Sequence, residues 1–136
     1  MQVQYTTSCA LRMMVYLAAD NKIVTSNEME KKLGFPKQTI FGAGRKLKAA
    51  GYVNTISGPF GGYILGKPPE DITLQNILDV FHDSFSTSYG KSPANSATTV
   101  TMRNYEQFLA EMEKGITRKL MSCTLADLMK PPDDPG

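Results

Sequence analysis

Gly51-Tyr52-Val53-Asn54-Thr55-Ile56-Ser57-Gly58-Pro59-Phe60-Gly61-Gly62-Tyr63-Ile64-Leu65 sets two short apolar-alternating runs around a tip rich in glycine and proline. That pattern is a β-hairpin with a glycine-laden loop. It follows directly on Lys37 to Ala50, a cationic helical stretch carrying Lys37, Arg45, Lys46 and Lys48 and stopped by Gly51. A helix handing over to a hairpin in this order is the layout of a winged helix, which puts one helix into a DNA groove and a loop on the backbone beside it.

Upstream, Cys9, Met13, Tyr16 and Leu17 recur at helical spacing and define a first helix from Tyr5 to Ala19. Met13 and Met14 read as core filler. Thr25 followed by Glu28 has the form of a capping box, opening a second helix that runs to about Leu33. Gly34-Phe35-Pro36 is then a turn: glycine accepts the left-handed conformation past a helix end, and proline needs no N–H in the first turn of the next helix. Two helices joined by a three-residue turn, the second one cationic, make a helix-turn-helix unit.

Downstream, Lys67-Pro68-Pro69-Glu70-Asp71 leads out of the hairpin, and Thr73 caps a helix from Leu74 to His82 with Leu74, Ile77, Leu78 and Phe81 on one face. Residues 84–99 are rich in Ser, Thr, Gly, Pro and Asn without periodicity, and are expected to form a flexible loop. From about Val100 to Met121, Met102, Tyr105, Leu109, Met112, Ile116 and Leu120 follow one another at intervals of three and four, a narrow helical seam. Such a stripe, projecting from a small domain, suits a second copy across a two-fold axis; packing back on its own domain is the alternative. Gly115 weakens this helix by about 1 kcal/mol, so packing must sustain it. Thr124 caps a last short turn through Met129, and residues 131–136 are expected to be a disordered tail.

The expected class is therefore α+β and mostly helical, a winged helix-turn-helix over residues 1–83 with an appended long dimerisation helix and short terminal helix over 100–130. A chain of 136 residues fits one domain plus such an extension.

The net charge of +2 divides unevenly. Residues 1–66 hold eight Lys/Arg against three Asp/Glu, and residues 67–136 hold seven against ten. The hairpin half is the basic half, the footprint of a nucleic-acid-binding face; a merely solvated lysine-rich face has the same charge. The longest apolar run, Met13 to Ala19, is too short to span a bilayer, and a cytoplasmic protein is expected. Two cysteines, Cys9 and Cys123, form no disulfide framework and match no zinc-ligand spacing. The single histidine, His82, has no nucleophile near it in sequence, and no phosphate loop is present, so an enzyme is not expected.

Taken together, these pieces resemble the Rrf-two family of bacterial winged-helix transcription regulators. The resemblance rests on Cys9-Ala10-Leu11-Arg12 with Tyr16-Leu17-Ala18, Gly34-Phe35-Pro36, Lys48-Ala49-Ala50-Gly51-Tyr52-Val53, the Gly58 to Leu65 wing, Pro69 to Leu74, and Thr124-Leu125-Ala126-Asp127-Leu128. It implies a homodimer on operator DNA, with helix 37–50 in the major groove and wing 57–63 along the minor groove. By that correspondence Lys37, Gln38, Thr39, Phe41, Gly42, Arg45 and Lys46 face the DNA, joined by Ser57, Gly58 and Gly61 of the wing. Gln38 suits an adenine edge and Arg45 a guanine, while Lys37 and Lys46 suit phosphates.

Three departures stand out. Many members hold an iron-sulfur cluster through three cysteines before the dimer helix; Ser84 to Thr99 has none, and no cluster or other cofactor is expected. Ser57 stands where the family's wing usually has an arginine. Ala43 and Gly44, with Gly42 nearby, stand where bulkier aliphatic residues normally fill the space under the reading helix, leaving either a pocket for a small apolar effector or a gap closed by Phe41 or the methionines. Two further readings follow: an effector- or redox-sensing regulator, with Cys123 as the thiol, and a dimeric winged-helix module that reads no DNA.

Overall fold

The computed structural model describes residues 3–84 and 99–131. The expected flexible loop and disordered tail lie largely or wholly outside these residues. Helix α1 (Tyr5–Asp20) carries the inner face of the core, with Cys9, Ala10, Met13, Met14 and Leu17 buried. Met13 and Met14 are core side chains, as their apolar spacing requires.

Helix α2 (Ser26–Leu33) starts at Thr25, whose Oγ1 accepts the Glu28 N–H at 3.1 Å. The expected capping box is only half built. Glu28 Oε2 instead accepts the Tyr16 hydroxyl at 2.7 Å, because α1 brings a stronger donor within reach of the carboxylate. Helix α3 (Lys37–Ala49) begins one residue after Pro36, which is the cap and not the first helical residue; its carbonyl accepts the N–H groups of Thr39 and Ile40. The helix ends one residue earlier than expected, in a paired closure: Gly51 N–H donates to Lys48 O at 3.0 Å and Tyr52 N–H to Leu47 O at 2.9 Å. Gly51 has φ +84, the left-handed region that this closure demands.

Strands β1 (Val53–Ile56) and β2 (Gly62–Leu65) pair antiparallel, with Val53 opposite Leu65 and Ile56 opposite Gly62. The outer edge of β2 is also taken: Val24 and Tyr63 exchange both backbone hydrogen bonds at 2.8 Å. Gly62 passes so close to the Val24 carbonyl that a Cβ would not fit, which explains a glycine inside this strand.

A 3-10 turn (Pro69–Asp71) leads to α4 (Leu74–Val80), which stops two residues short of His82. Phe81 folds into the core and His82 takes φ +50, so the chain has left the helix there. Helix α5 (Val100–Ser122) has no buried residue over its 23 residues, and Gly115 sits within it with open space at its Cβ position. Helix α6 (Leu125–Met129) closes the described chain. Thr73 and Thr124, each in a full capping box, also pair with each other as a small antiparallel bridge. Leu74 N–H donates to Cys123 O and Leu125 N–H to Ile72 O, so the α5–α6 corner is fastened to the start of α4.

Candidate nucleic-acid interface

Helix α3 is two-faced by its own spacing. Ile40, Ala43, Gly44 and Leu47 are buried against the core. Gln38 and Arg45 lie on the opposite side and are exposed, with half-exposed Gly42 between them, an outward ridge at helical spacing. Phe41 is exposed on the flank nearest the wing. Thr39 is half-buried on the other flank, and Lys37 is half-buried at the first turn, its N–H held by Glu30 Oε2 at 3.2 Å. Lys46 leaves the ridge as well: its Nζ stands 5.3 Å from the centre of the Phe81 ring, turning that charge toward α4. Lys48 is exposed.

Within the Gly42-Ala43-Gly44 stretch, the space beside Gly44 is filled. A Cβ on Gly44 would lie 2.6 Å from Tyr63 Cε1 and 2.8 Å from its Oη, so the ring of Tyr63 occupies the space. At Gly44 the filler is thus Tyr63, while Phe41 is exposed and Met13 and Met14 are buried in the same core as Ala43. Tyr63 belongs to β2, a long-range neighbour that helical spacing does not reveal. Burial pushes the Tyr63 phenol up, and the charge of nearby Arg45 partly offsets this.

Between α3 and the wing runs a cleft of about 360 Å³, bounded by Thr25, Ser26, Phe41, Ile56, Gly58 and Tyr63. Ser57, Gly58 and Gly61 line or approach it from the wing, Ser57 and Gly58 exposed and Gly61 half-buried. Gly61 N–H closes the tip by donating to Gly58 O at 3.0 Å. A second groove, of about 400 Å³ and almost wholly apolar, lies where α1 meets the end of α5 and α6; Leu11, Val15, Leu74, Leu120 and Leu128 line it, with Arg12 at its edge.

On α5, Met102, Leu109, Ile116 and Leu120 are half-buried, whereas Tyr105 and Met112 are exposed. Phe108, exposed and absent from the expected seam, widens this apolar face. Cys9 is buried, and burial pushes its thiol up to about 11, which keeps it protonated and inert. Cys123 is half-buried at the cap of α5, its Sγ 3.8 Å from Thr124 O. No helix among the described residues is long and apolar enough to cross a membrane.

A helix-turn-helix whose second helix shows a polar, cationic ridge beside a glycine-tipped hairpin defines the winged-helix class. The chain belongs to the Rrf2 family, described as iron-dependent transcriptional regulators, whose model matches residues 3–131. Among curated relatives, it is 33% identical over 87 residues to protein aau3 of Rhizobium meliloti, covering 63% of this chain and 56% of that one. It is 31% identical over 88 residues to the HTH-type transcriptional regulator NsrR of Bacillus subtilis, covering 63% and 60%. The chain thus spans somewhat over half the length of these relatives. Its fold is that of CymR, the global cysteine regulator of B. subtilis, with a TM-score of 0.72 at 22% identity over 95% of this chain and 96% of that one.

The family description names iron, and the residues present do not suit a thiolate-held cluster. The chain has two cysteines and one histidine. Cys9 is a protonated thiol in the core of α1, and Cys123 and His82 sit on different elements. Among the described residues no three His, Cys, Asp or Glu side chains gather as a metal site.

Proposed function

We propose that two copies of this chain bind an operator duplex, each laying α3 in the major groove and its wing along the adjacent minor groove, to regulate transcription. The observation that carries this reading is the outward ridge of Gln38, Gly42 and Arg45, held rigidly because Ile40, Ala43, Gly44 and Leu47 anchor the same helix in the core. Gln38 offers the donor and acceptor that an adenine edge requires and Arg45 the two donors that a guanine edge requires, and the half-exposed Gly42 between them lets the helix approach the bases closely. Lys37 and Lys48 flank the ridge where phosphates run.

Pairing rests on α5. A helix of 23 residues with no buried side chain gains little from its own domain, and Tyr105, Phe108 and Met112 expose a continuous apolar stripe. A second copy would cover it symmetrically. The relatives' regulator names and the family description agree with this function.

The test uses a duplex recovered from a random-sequence library by the protein itself. Fluorescence anisotropy should show binding that weakens steeply with salt, and Arg45→Ala should cost roughly 1–3 kcal/mol while levelling discrimination at one position of the site. No duplex recovered would refute the reading and leave the non-DNA module; binding indifferent to Gln38→Ala and Arg45→Ala would refute the placement of α3 in the major groove.

A further inference from the structure

We propose that Phe60, at the tip of the wing, is an apolar wedge that enters the minor groove, partly unstacks one base step and kinks the duplex. The inference rests on the DNA-binding reading above and adds to it how the wing grips and what it selects.

Phe60 is 89% exposed, more than any other large apolar side chain described. Single exposed apolar residues are ordinary on protein surfaces. This one differs in how it is held. Gly58-Pro59-Phe60-Gly61 is a tight turn closed by the Gly61 N–H on Gly58 O at 3.0 Å, with Pro59 fixing its own φ in the second position. Phe60 is not among the residues with positive φ, so the turn keeps an ordinary backbone at its third position. At its root, Gly61 lies against the Ile56 carbonyl and Gly62 against the Val24 carbonyl, each too close for a Cβ. The double hydrogen bond between Val24 and Tyr63 pins β2 to the body. The tip therefore has no slack with which to fold Phe60 back onto the domain. Folding gains nothing from this ring, and a partner does.

Chemistry and place identify the partner. From Tyr52 to Gly66 the wing contains no charged residue. It has no ion to offer a phosphate, so its grip comes from neutral donors, the backbone N–H groups and the exposed Asn54, Thr55 and Ser57, and from apolar insertion. Gly58 and Gly61, the two ends of the turn, line with Pro59 the cleft that Phe41 bounds on α3, and Ile56 adds a second exposed apolar side chain there. A duplex whose major groove takes the Gln38–Arg45 ridge brings its neighbouring minor groove to the wing tip. An aromatic ring pushed between base pairs there bends DNA toward the major groove, increasing the surface that meets α3. Pyrimidine–purine steps unstack most cheaply, so the wedge selects TA or CA/TG at a position that no side chain reads by hydrogen bonding.

The experiment uses the full chain and the library-selected duplex, with 2-aminopurine placed at steps flanking the half-site and a donor–acceptor pair on the DNA ends. Wild-type protein should raise 2-aminopurine fluorescence at one flanking step and shorten the end-to-end distance. Phe60→Ala should bind about tenfold more weakly, lose both signals and keep the wild-type salt slope, since no charge has been removed. Phe60→Met, still an apolar wedge, should recover most of the bend. The side chain is 89% exposed in the fold, so equal melting temperatures will verify that each variant is intact. If wild type binds the duplex and Phe60→Ala binds it equally well and bends it equally, the wedge is wrong and the regulator reading stands. If Phe60→Ala instead abolishes capture of a protein partner with DNA binding unchanged, the wing tip is a protein contact and the wedge is equally refuted. If the wild type binds no duplex, the regulator reading falls first and takes the wedge with it.

Discussion

Gly44→Ala is the substitution in which two well-calibrated effects oppose each other. Alanine in a helix interior is favoured over glycine by about 1 kcal/mol, so on propensity alone the variant should be more stable. The new methyl group, however, would sit 2.6 Å from Tyr63 Cε1 and 2.9 Å from its Cζ. Ordinary carbon contacts begin near 3.4 Å, so the ring must retreat by about 0.8 Å. Tyr63 is buried, its own backbone is tied to Val24 and its strand is paired with β1 on the other edge, which leaves the side chain alone to move. Overpacking of that kind costs about 1–3 kcal/mol, and the net loss should be about 1 kcal/mol, or roughly 4 °C in melting temperature. Urea unfolding followed by circular dichroism, at one fixed protein concentration, measures it. The decisive comparison is the same substitution in a Tyr63→Ala background, where the ring is gone and Gly44→Ala should become stabilising by up to about 1 kcal/mol. A variant as stable as its parent in both backgrounds would show that the ring of Tyr63 is not what fills this space.

Gly62→Ala places a methyl group against the Val24 carbonyl, a backbone atom with nowhere to go; the Val24–Tyr63 pairing should open, amide exchange at Tyr63 should rise, and the loss should reach about 2–3 kcal/mol. Met112→Glu changes a side chain that is exposed in the single chain, so folding should hold while self-association weakens at least a hundredfold by analytical ultracentrifugation, since symmetry removes two apolar contacts of about 1.5–3 kcal/mol each. Cys9 should resist iodoacetamide at pH 8 until the chain is unfolded. The folded thiol keeps its proton to about 11 against an ordinary 9.0, so its contribution to stability is complete below pH 9 and declines as pH rises toward 11. Urea titrations across that window should show the decline, and Cys9→Ala should reduce it.

What the sequence disclosed and what it concealed divide along chain distance. Gly51 as a helix stop, Thr73 and Thr124 as caps, and the hairpin after α3 depend on residues a few positions apart, so spacing alone exposes them. Glu28 has the right spacing to cap its own helix and is drawn away by the Tyr16 hydroxyl from α1, a competitor that no local pattern contains. The gap under α3 was visible as missing volume at Ala43 and Gly44, but the side chain that closes it comes from the wing. A tyrosine in the glycine-rich hairpin was the available signal, since its ring must be buried somewhere nearby. Lys46 was equally ambiguous: the helical period places it beside the ridge, and only the position of Phe81 in the core shows which way its charge turns.

The wing and the long helix are joined to the reading helix by different means, and this separates grip from spacing. The wing is locked to the body by backbone hydrogen bonds at Val24 and by Tyr63 packed on Gly44, so it moves with α3 as one solid head. Helix α5 meets that head at the corner where Thr73 and Thr124 pair, with Leu125 buried beneath it and two capping boxes fixing the backbone on either side. In the proposed two-fold pair on DNA, the direction in which α5 leaves this corner would set the separation of the two α3 ridges, while the ridge residues would set what each one reads. Changes on the outward face of α3 should therefore alter the sequence of a half-site, and changes at the Thr73–Thr124 corner the distance between half-sites, because no residue takes part in both.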